Sequence, residues 1–367
     1  MPAMKILVIS LAGTGDTLLA TPVIHELRAI YPAAVIDVLV LWPGAKDILE
    51  GNPYLNTVFQ KNLMKNNQLN KLAALKFLWS LRLHRYDVSI NTHPQSKLLY
   101  RLAARVINAR TRISHNYHQS KWFDRLLGDH TLPQDYEQHS VENTFALLQF
   151  LAVKPVLPRH AGELFLSPAE TAWADAFLRE RNLGARKRFG IHVGSSGTKN
   201  LALRRWPVEH YVSLIQRLNQ QYPKLAILLF GGPEEEQAHE QILAHTSRNQ
   251  VFVIKTANFR QAAALVQHCD LFMSGDTSMM HIAAAVKVPK VFVIETPTFY
   301  KPNYPYSHPF VLIRNPEIAG RNLEYYLYDG RGIRGTNEEL RRCMASITVD
   351  SVYQTLQAEC PFLQQSQ

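Results

Sequence analysis

The sequence holds no uninterrupted apolar run approaching the roughly 20 residues that a bilayer-spanning helix needs. Its N-terminus does not read as a secretory signal, because Met4-Lys5-Ile6-Leu7-Val8-Ile9 is short and runs straight into a glycine turn. Cysteine is scarce: Cys269, Cys343 and Cys360 are odd in number and lack metal-ligand spacing, which fits a reducing cytoplasm. There is no Asp-x-Asp, which argues against a carboxylate-held divalent ion. No nucleophile elbow and no Gly-x-x-x-x-Gly-Lys-Ser/Thr loop occurs, and the 15 histidines, His93, His115 and His118 among them, show no ligand spacing. Acid is in deficit, with 30 Asp and Glu against 40 Lys and Arg. The resulting +10 charge calls for an acidic partner: nucleic acid, anionic membrane or a phosphorylated substrate.

What is present is an α/β alternation over 367 residues, too long for one ordinary core, so two domains are expected. Lys5–Ser10 reads as a buried strand, Leu11–Thr17 as a turn and Leu18–Ile30 as a helix. Pro22 predicts a kink or a restart there, with Thr21 as N-cap. Ala34–Leu41 and Tyr86–Asn91 are further strands. Prolines and a glycine around Val153–Pro168 mark a linker. The domains are thus placed at 1–165 and 166–340, with a terminal helical segment, 341–367, expected to pack back on the first domain. In the second domain, short apolar strands from Phe189 to Ile294 alternate with helices of about ten residues, the pattern of a parallel sheet. A Gly-rich loop, Asp329–Gly335, precedes a helix for which Asn337 is the expected cap.

Candidate chemistry collects at the turns. Ser274-Gly275-Asp276-Thr277-Ser278-Met279-Met280-His281 follows an apolar strand and opens an Ala-rich helix. Free N–H groups and the helix dipole favour an anion there, Thr277 and Ser278 add hydroxyls, and Asp276 either caps the helix or holds a ligand hydroxyl. The bland alternative is a capped buried helix with His281 packed inside. Gly13-Thr14-Gly15-Asp16 invites a dinucleotide reading, with Asp37 at ribose distance in sequence. The third glycine position is Leu18, however, and the Asp16 charge has the wrong sign for phosphate. Asp16 therefore fits better as a general base, a role compatible with helix capping. Gly194–Lys199 and Arg204-Arg205-Trp206-Pro207 bring small donors together with Lys199, Arg204 and Arg205, which can neutralise a diphosphate. Glu234, after Gly231-Gly232-Pro233, either binds ribose hydroxyls or complements a helix dipole. Between Lys97 and Arg125 seven bases face only Asp124, with aromatics interleaved. This stretch reads either as a groove for an anionic acceptor, through Arg101, Arg105, Arg112 and Lys121, or as the wet face of a helix.

Taken in order, these motifs resemble glycosyltransferase family 9, the heptosyltransferases of the lipopolysaccharide inner core. Met4–Val8 with Gly15–Pro22 resembles the opening of that family, Trp206–Tyr211 its mid-chain signature, and Ser274–Ala285 its donor motif. Cys343-Met344 and Ile347 before a last helix resemble its ending. The resemblance implies a GT-B fold, two Rossmann-like domains facing across a cleft, and inverting transfer without metal or other cofactor. The donor it implies is ADP-L-glycero-D-manno-heptose, bound mainly by the second domain. By position, Asp16 matches the general base, Arg204 a diphosphate contact, Glu234 the ribose carboxylate and Ala257 a backbone contact to adenine. Asp276 matches a residue near the sugar, and Thr277, Ser278 and His281 lie on the phosphate turn. Two departures stand out: Ser278-Met279 replaces Gly-Pro, and Glu295-Thr296-Pro297-Thr298 replaces Phe-Gly-Pro-Thr. A carboxylate at Glu295 beside a diphosphate is unfavourable unless it is neutralised or turned on sugar hydroxyls. The implied partners are a nucleotide sugar, the anionic core acceptor and the inner membrane of a Gram-negative cell, approached from the cytoplasm, and no nucleic acid. Three alternatives remain: another nucleotide sugar on the same fold, a nucleotide-dependent oxidoreductase using Asp37, and a basic module binding nucleic acid or membrane.

Overall fold

The computed structural model describes residues 3–61, 64–65, 68–92, 94, 97–117, 120, 122, 126–195, 202–297, 303–318 and 336–363. The chain divides into two compact units. One is Met1–Phe165 with Lys301–Ser307 and Tyr328–Gly330; the other is Leu166–Tyr300 with His308–Leu327 and Arg331–Gln367. Lys121, Lys199 and the Asp329–Gly335 loop lie outside the described residues.

The first unit runs β1 (Lys5–Ser10), α1 (Thr14–Leu19), α2 (Thr21–Ile30), β2 (Val35–Val40), α3 (Pro43–Leu49), β3 (Thr57–Gln60), a two-residue hairpin of β4 (Met64–Lys65) and β5 (Gln68–Leu69), α4 (Lys71–Arg82), β6 (Val88–Asn91), α5 (Leu98–Ile107), β7 (Thr111–Asn116), β8 (His130–Pro133) and α6 (Ser140–Ala146). Its sheet is parallel throughout, in the order β3-β2-β1-β6-β7-β8. From Ile6 to Ser10 every β1 residue is buried, as a strand covered by helices on both faces must be. Leu7 lies opposite Asp37 on one side and Ser89 on the other.

The helical run after β1 breaks at Ala20. Pro22 has no N–H to offer the Leu18 carbonyl, and the Thr21 hydroxyl donates to that oxygen instead, at 2.7 Å. Thr21 is therefore the first residue of α2, with Ala20 as its N-cap, rather than the cap itself.

The second unit runs α7 (Pro168–Glu180), β9 (Arg188–His192), α8 (Val208–Gln221), β10 (Ala226–Phe230), α9 (Glu236–His245), β11 (Val251–Ile254), α10 (Phe259–Val266), β12 (Leu271–Ser274), α11 (Ser278–Ala285), β13 (Lys290–Ile294), β14 (Phe310–Ile313), α12 (Asn337–Ala345) and α13 (Val349–Glu359). Its sheet is again parallel, in the order β11-β10-β9-β12-β13-β14. Thr336, not Asn337, caps α12: its hydroxyl accepts from Glu339 N at 3.2 Å, and the Glu339 carboxylate returns to the Thr336 N–H.

Among the described residues, the chain end is part of the second unit's core, where the sequence predicted packing on the first domain. In α13, Val352, Tyr353 and Leu356 are buried in one core with Leu214 and Leu218 of α8. Arg217 pairs with Asp350 at 2.6 Å, and the Trp206 indole donates to Ile347 O at 2.9 Å. The apolar face of α8 is wide enough to take this helix, so the second unit completes its own core. All three cysteines are buried in the second unit as free thiols.

Candidate active site

Both sheets share the doubly wound order in which the chain reverses beside its first strand. Ligands of such sheets sit beyond the strand C-termini at that switch point. In the first unit the switch lies between β1 and β6, and Asp16 follows β1. In the second it lies between β9 and β12, and the Ser274–His281 turn follows β12.

In the first unit, Asp16 is half-buried. Its Oδ2 accepts the Gly13 N–H at 2.8 Å, satisfying the backbone donor of the N-cap residue at the start of α1. The Thr17 hydroxyl holds Gly13 O at 3.1 Å and meets the Ser10 hydroxyl at 3.0 Å, so strand end and turn are fixed together. Burial raises the phenol of Tyr100 above its usual value, and the nearby Asp16 charge raises it further. Asp16 is therefore within electrostatic reach of Tyr100 in α5.

Asp37 is not available to a ribose. It sits midway along β2, 3% exposed, and accepts the Tyr86 hydroxyl at 2.7 Å. A dinucleotide carboxylate would have to stand free at the strand end, so the oxidoreductase reading loses its second residue.

The basic stretch is largely engaged within the fold. Arg101 is 4% exposed, donates to the Ser120 hydroxyl at 2.9 Å and lies over Tyr117. It is neither a wet helix face nor an open acceptor contact. Arg112 pairs with Asp129 at 2.6 Å and donates to Asn108 at 3.0 Å, and Arg110 faces Asp87 at 3.4 Å. Arg105 is exposed, with one nitrogen 2.9 Å from Asn108 Oδ1. The acids that balance this stretch lie outside its sequence window, which is why the window looked unopposed.

Sequence reading missed a neighbouring surface. On α4, Leu72 (63% exposed), Leu75 (49%) and Trp79 (55%) follow helical spacing on one outward face, with Leu83 (74%) beyond its end. Such a stripe in sequence looks like a core face. The available signal was charge, because Lys61 to Arg85 contains six bases and no acid.

In the second unit, Ser274 Oγ and Thr277 Oγ1 lie 2.9 Å apart, and Thr277 Oγ1 is 3.3 Å from His192 Nδ1. Burial, then the charges of His239 and Arg205, push His192 down to about 3, so it is neutral at physiological pH. Thr277, not Asp276, occupies the N-cap of α11, and Ser278 is half-buried at its first position. His281 is 7% exposed, within the helix body. The Asp276 carboxylate pairs with Arg204 Nη1 at 3.3 Å. Burial pushes Asp276 up from the usual carboxylate range while Arg204 pulls it down. A guanidinium thus stands beside the start of α11, held by the acid next to its cap.

Arg205 is built into the framework. It donates to Ser195 O, to Glu234 O at 3.3 Å and to Glu235 Oε1 at 3.2 Å. Glu235, 6% exposed, also accepts the Gly232 N–H at 2.8 Å. Its carboxylate leaves no room at residue 194, where a Cβ would come within 2.2 Å of Glu235 Oε1, so Gly194 is required by that approach. Glu234 points outward, its side chain 54% exposed and 3.8 Å from Arg205. Ala257 is exposed, and its N–H is taken by Gln261 Oε1 at 2.9 Å. Glu295 belongs to the fold: 4% exposed, it accepts the Asn315 N–H at 2.7 Å.

Comparison with known proteins agrees with this architecture. The family model for glycosyltransferase family 9 (heptosyltransferase) matches residues 74–325, more than half of the chain. The lipopolysaccharide heptosyltransferase 3 of Escherichia coli is 27% identical over 282 residues, covering 76% of this chain and 79% of that protein. The lipooligosaccharide heptosyltransferase 2 of Haemophilus ducreyi is 26% identical, covering 96% of this chain and 98% of that one. Among solved structures, the Escherichia coli ADP-heptose lps heptosyltransferase II superposes with a TM-score of 0.71 at 23% identity, over 99% of this chain and 100% of that one. The paired Rossmann sheets are those of the GT-B heptosyltransferases. With the family model spanning both units and a relative aligned over nearly its whole length, the chain belongs to glycosyltransferase family 9, the heptosyltransferase family.

Proposed function

We propose that this glycosyltransferase moves a heptose from ADP-L-glycero-D-manno-heptose to the anionic inner-core oligosaccharide of lipopolysaccharide, with inversion and without a catalytic metal. The observation that carries the donor half is the Arg204–Asp276 pair beside the start of α11. An anion met there by backbone N–H groups, the Thr277 hydroxyl and a guanidinium needs no added cation for charge balance. Arg204 exchanges part of its Asp276 contact for the leaving diphosphate. Arg205 holds Ser195 and the Glu234-Glu235 turn in place, and Glu234 takes the ribose hydroxyls.

Asp16 supplies the base. Its Oδ2 is oriented by Gly13 N–H, and a carboxylate oxygen takes the acceptor hydroxyl proton. The new bond forms from that hydroxyl oxygen to the anomeric carbon as the anomeric C–O bond to ADP breaks on the opposite face. The electron pair leaves with the diphosphate, where the start of α11 stabilises it. Asp16→Asn is expected to lower kcat by about a hundredfold to ten-thousandfold with unchanged ADP-heptose affinity. A rate within twofold of the parent would remove Asp16 from the chemistry.

We place the membrane contact on α4. Exposed leucines and Trp79 flanked by Lys71, Lys76 and Arg82 suit the headgroup boundary of an anionic bilayer. No helix among the described residues is long and apolar enough to cross a membrane.

A further inference from the structure

Outside the transfer site, three side chains in the first unit converge on one point. His25 is on α2; His160 and Glu163 are on the chain leading to Phe165, so the cluster is closed over 138 residues of sequence. His25 Nδ1 lies 3.1 Å from Glu163 Oε2, and His160 Nε2 lies 3.2 Å from the same oxygen. The three candidate ligand atoms all lie within 4.8 Å of one another, and it is the one such group among the described residues.

The hydrogen-bond arithmetic at this point does not close for neutral rings. His160 Nδ1 is 3.1 Å from Pro158 O, an atom that can only accept. A neutral His160 must therefore carry its proton on Nδ1, which leaves a lone pair on Nε2 facing a carboxylate oxygen. Two acceptors at 3.2 Å repel unless a proton or a cation stands between them. The outer contacts already aim the groups. The His25 ring stacks on Tyr54 at 3.8 Å and 11°, and the Glu163 N–H donates to the Thr21 hydroxyl at 2.8 Å. A backbone carbonyl on the second nitrogen of an imidazole, as Pro158 provides for His160, is the usual support of a metal-bound histidine.

We propose that His25, His160 and Glu163 bind a divalent late-transition cation of the zinc class, through His25 Nδ1, His160 Nε2 and a Glu163 carboxylate oxygen. Ligand atoms around a tetrahedral cation held at about 2.0–2.1 Å are separated by about 3.3 Å, close to the two spacings already present. Side-chain exposures of 26%, 26% and 22% leave an entry path and room for a water in the fourth position. The ligand set is neutral imidazole and carboxylate, which suits zinc rather than calcium or magnesium. The bound ion ties residues 158–163 to α2, joining the linker end to the helix that follows the Asp16 turn. It is separate from the transfer chemistry, so the proposal stands or falls independently of the donor assignment.

The test is equilibrium dialysis of chelator-treated full-length protein against Zn²⁺, comparing the parent with His25→Ala, His160→Ala and Glu163→Gln. The parent is expected to hold one more equivalent than each variant. Each variant should weaken that site by more than the roughly 10–100-fold typical of losing an outer partner. Co²⁺ in place of Zn²⁺ should give the visible bands of a tetrahedral site in the parent and lose them in His160→Ala. His160 lies on an irregular segment, so retained circular dichroism of that variant separates loss of ligand from loss of fold. Equal stoichiometry and affinity in parent and variants, or no tetrahedral Co²⁺ spectrum in the parent, overturns the proposal and assigns the point between the two acceptors to a proton.

Discussion

Arg204 and Arg205 adjoin in sequence, yet their environments assign them different work, and substitution should separate the two. Removing Arg204 frees one carboxylate, Asp276, at a half-buried position. Arg204→Ala is therefore expected to weaken ADP binding about tenfold or more with little loss of fold, measured by titration calorimetry and thermal melting. Removing Arg205 strips the cation from buried Glu235 and breaks the bridge from Ser195 to the Glu234-Glu235 turn. Arg205→Ala should cost about 2–4 kcal/mol of stability, read from urea midpoints. A residue-level pH prediction comes from Glu170, which receives Arg260 at 2.5 and 2.6 Å and caps α7 through Ser167. The hydrogen-bonded Arg260 guanidinium holds its carboxyl down at about 2 against an ordinary 4.5. A depressed carboxylate contributes stability that is present above the unfolded value and lost as pH falls from about 4.5 through about 2. Glu170→Gln should remove about 2 kcal/mol at neutral pH and flatten that acid limb. At this scale residue type was legible and partner was not. Arg101 shows why: it lies three residues before Ala104, which is buried with it on α5, so helical period could have placed it inside. Its charge argued for solvent, and the hydroxyl that satisfies it is 19 residues away.

At the scale of elements, the strands were readable because a parallel strand covered on both faces is an apolar run with no polar alternation. Helix ends were less so: Thr21, Asn337 and Asp276 are each one residue from the real cap, since several neighbouring residues can serve as caps. The destinations of α4 and α13 were not readable, because an apolar stripe states that it must be covered without naming the cover. For α13 the cover is α8. For α4 the proposed cover is a bilayer. Leu75→Glu with Trp79→Glu should abolish sedimentation with vesicles containing anionic lipid while leaving turnover on a soluble acceptor unchanged. Sedimentation equal to the parent's would remove α4 from the membrane contact.

Over the whole molecule, the donor class is the property with the widest consequence, and it can be tested without an acceptor. A ligand that binds only the folded state stabilises by about 2.7 kcal/mol at a hundred times its Kd. ADP-linked sugars should therefore raise Tm where UDP- and GDP-linked ones do not, and a preference for uridine or guanosine would overturn the ADP-heptose assignment. The two-unit plan was legible from the repeated strand–turn–helix pattern and the proline-rich stretch before Phe165. The ownership of the C-terminal helix was not, because it depends on which unit has an uncovered face.

The burial of all three thiols within the second unit turns them into a clock for that half of the molecule. Burial raises the Cys269 thiol strongly and pushes Cys360 up to about 11, so neither supplies appreciable thiolate while the unit is folded. Alkylation by iodoacetamide should then proceed only through opening of the second unit. Addition of an ADP-sugar should slow all three modifications together, giving a site-free measure of how firmly the donor closes the fold around itself.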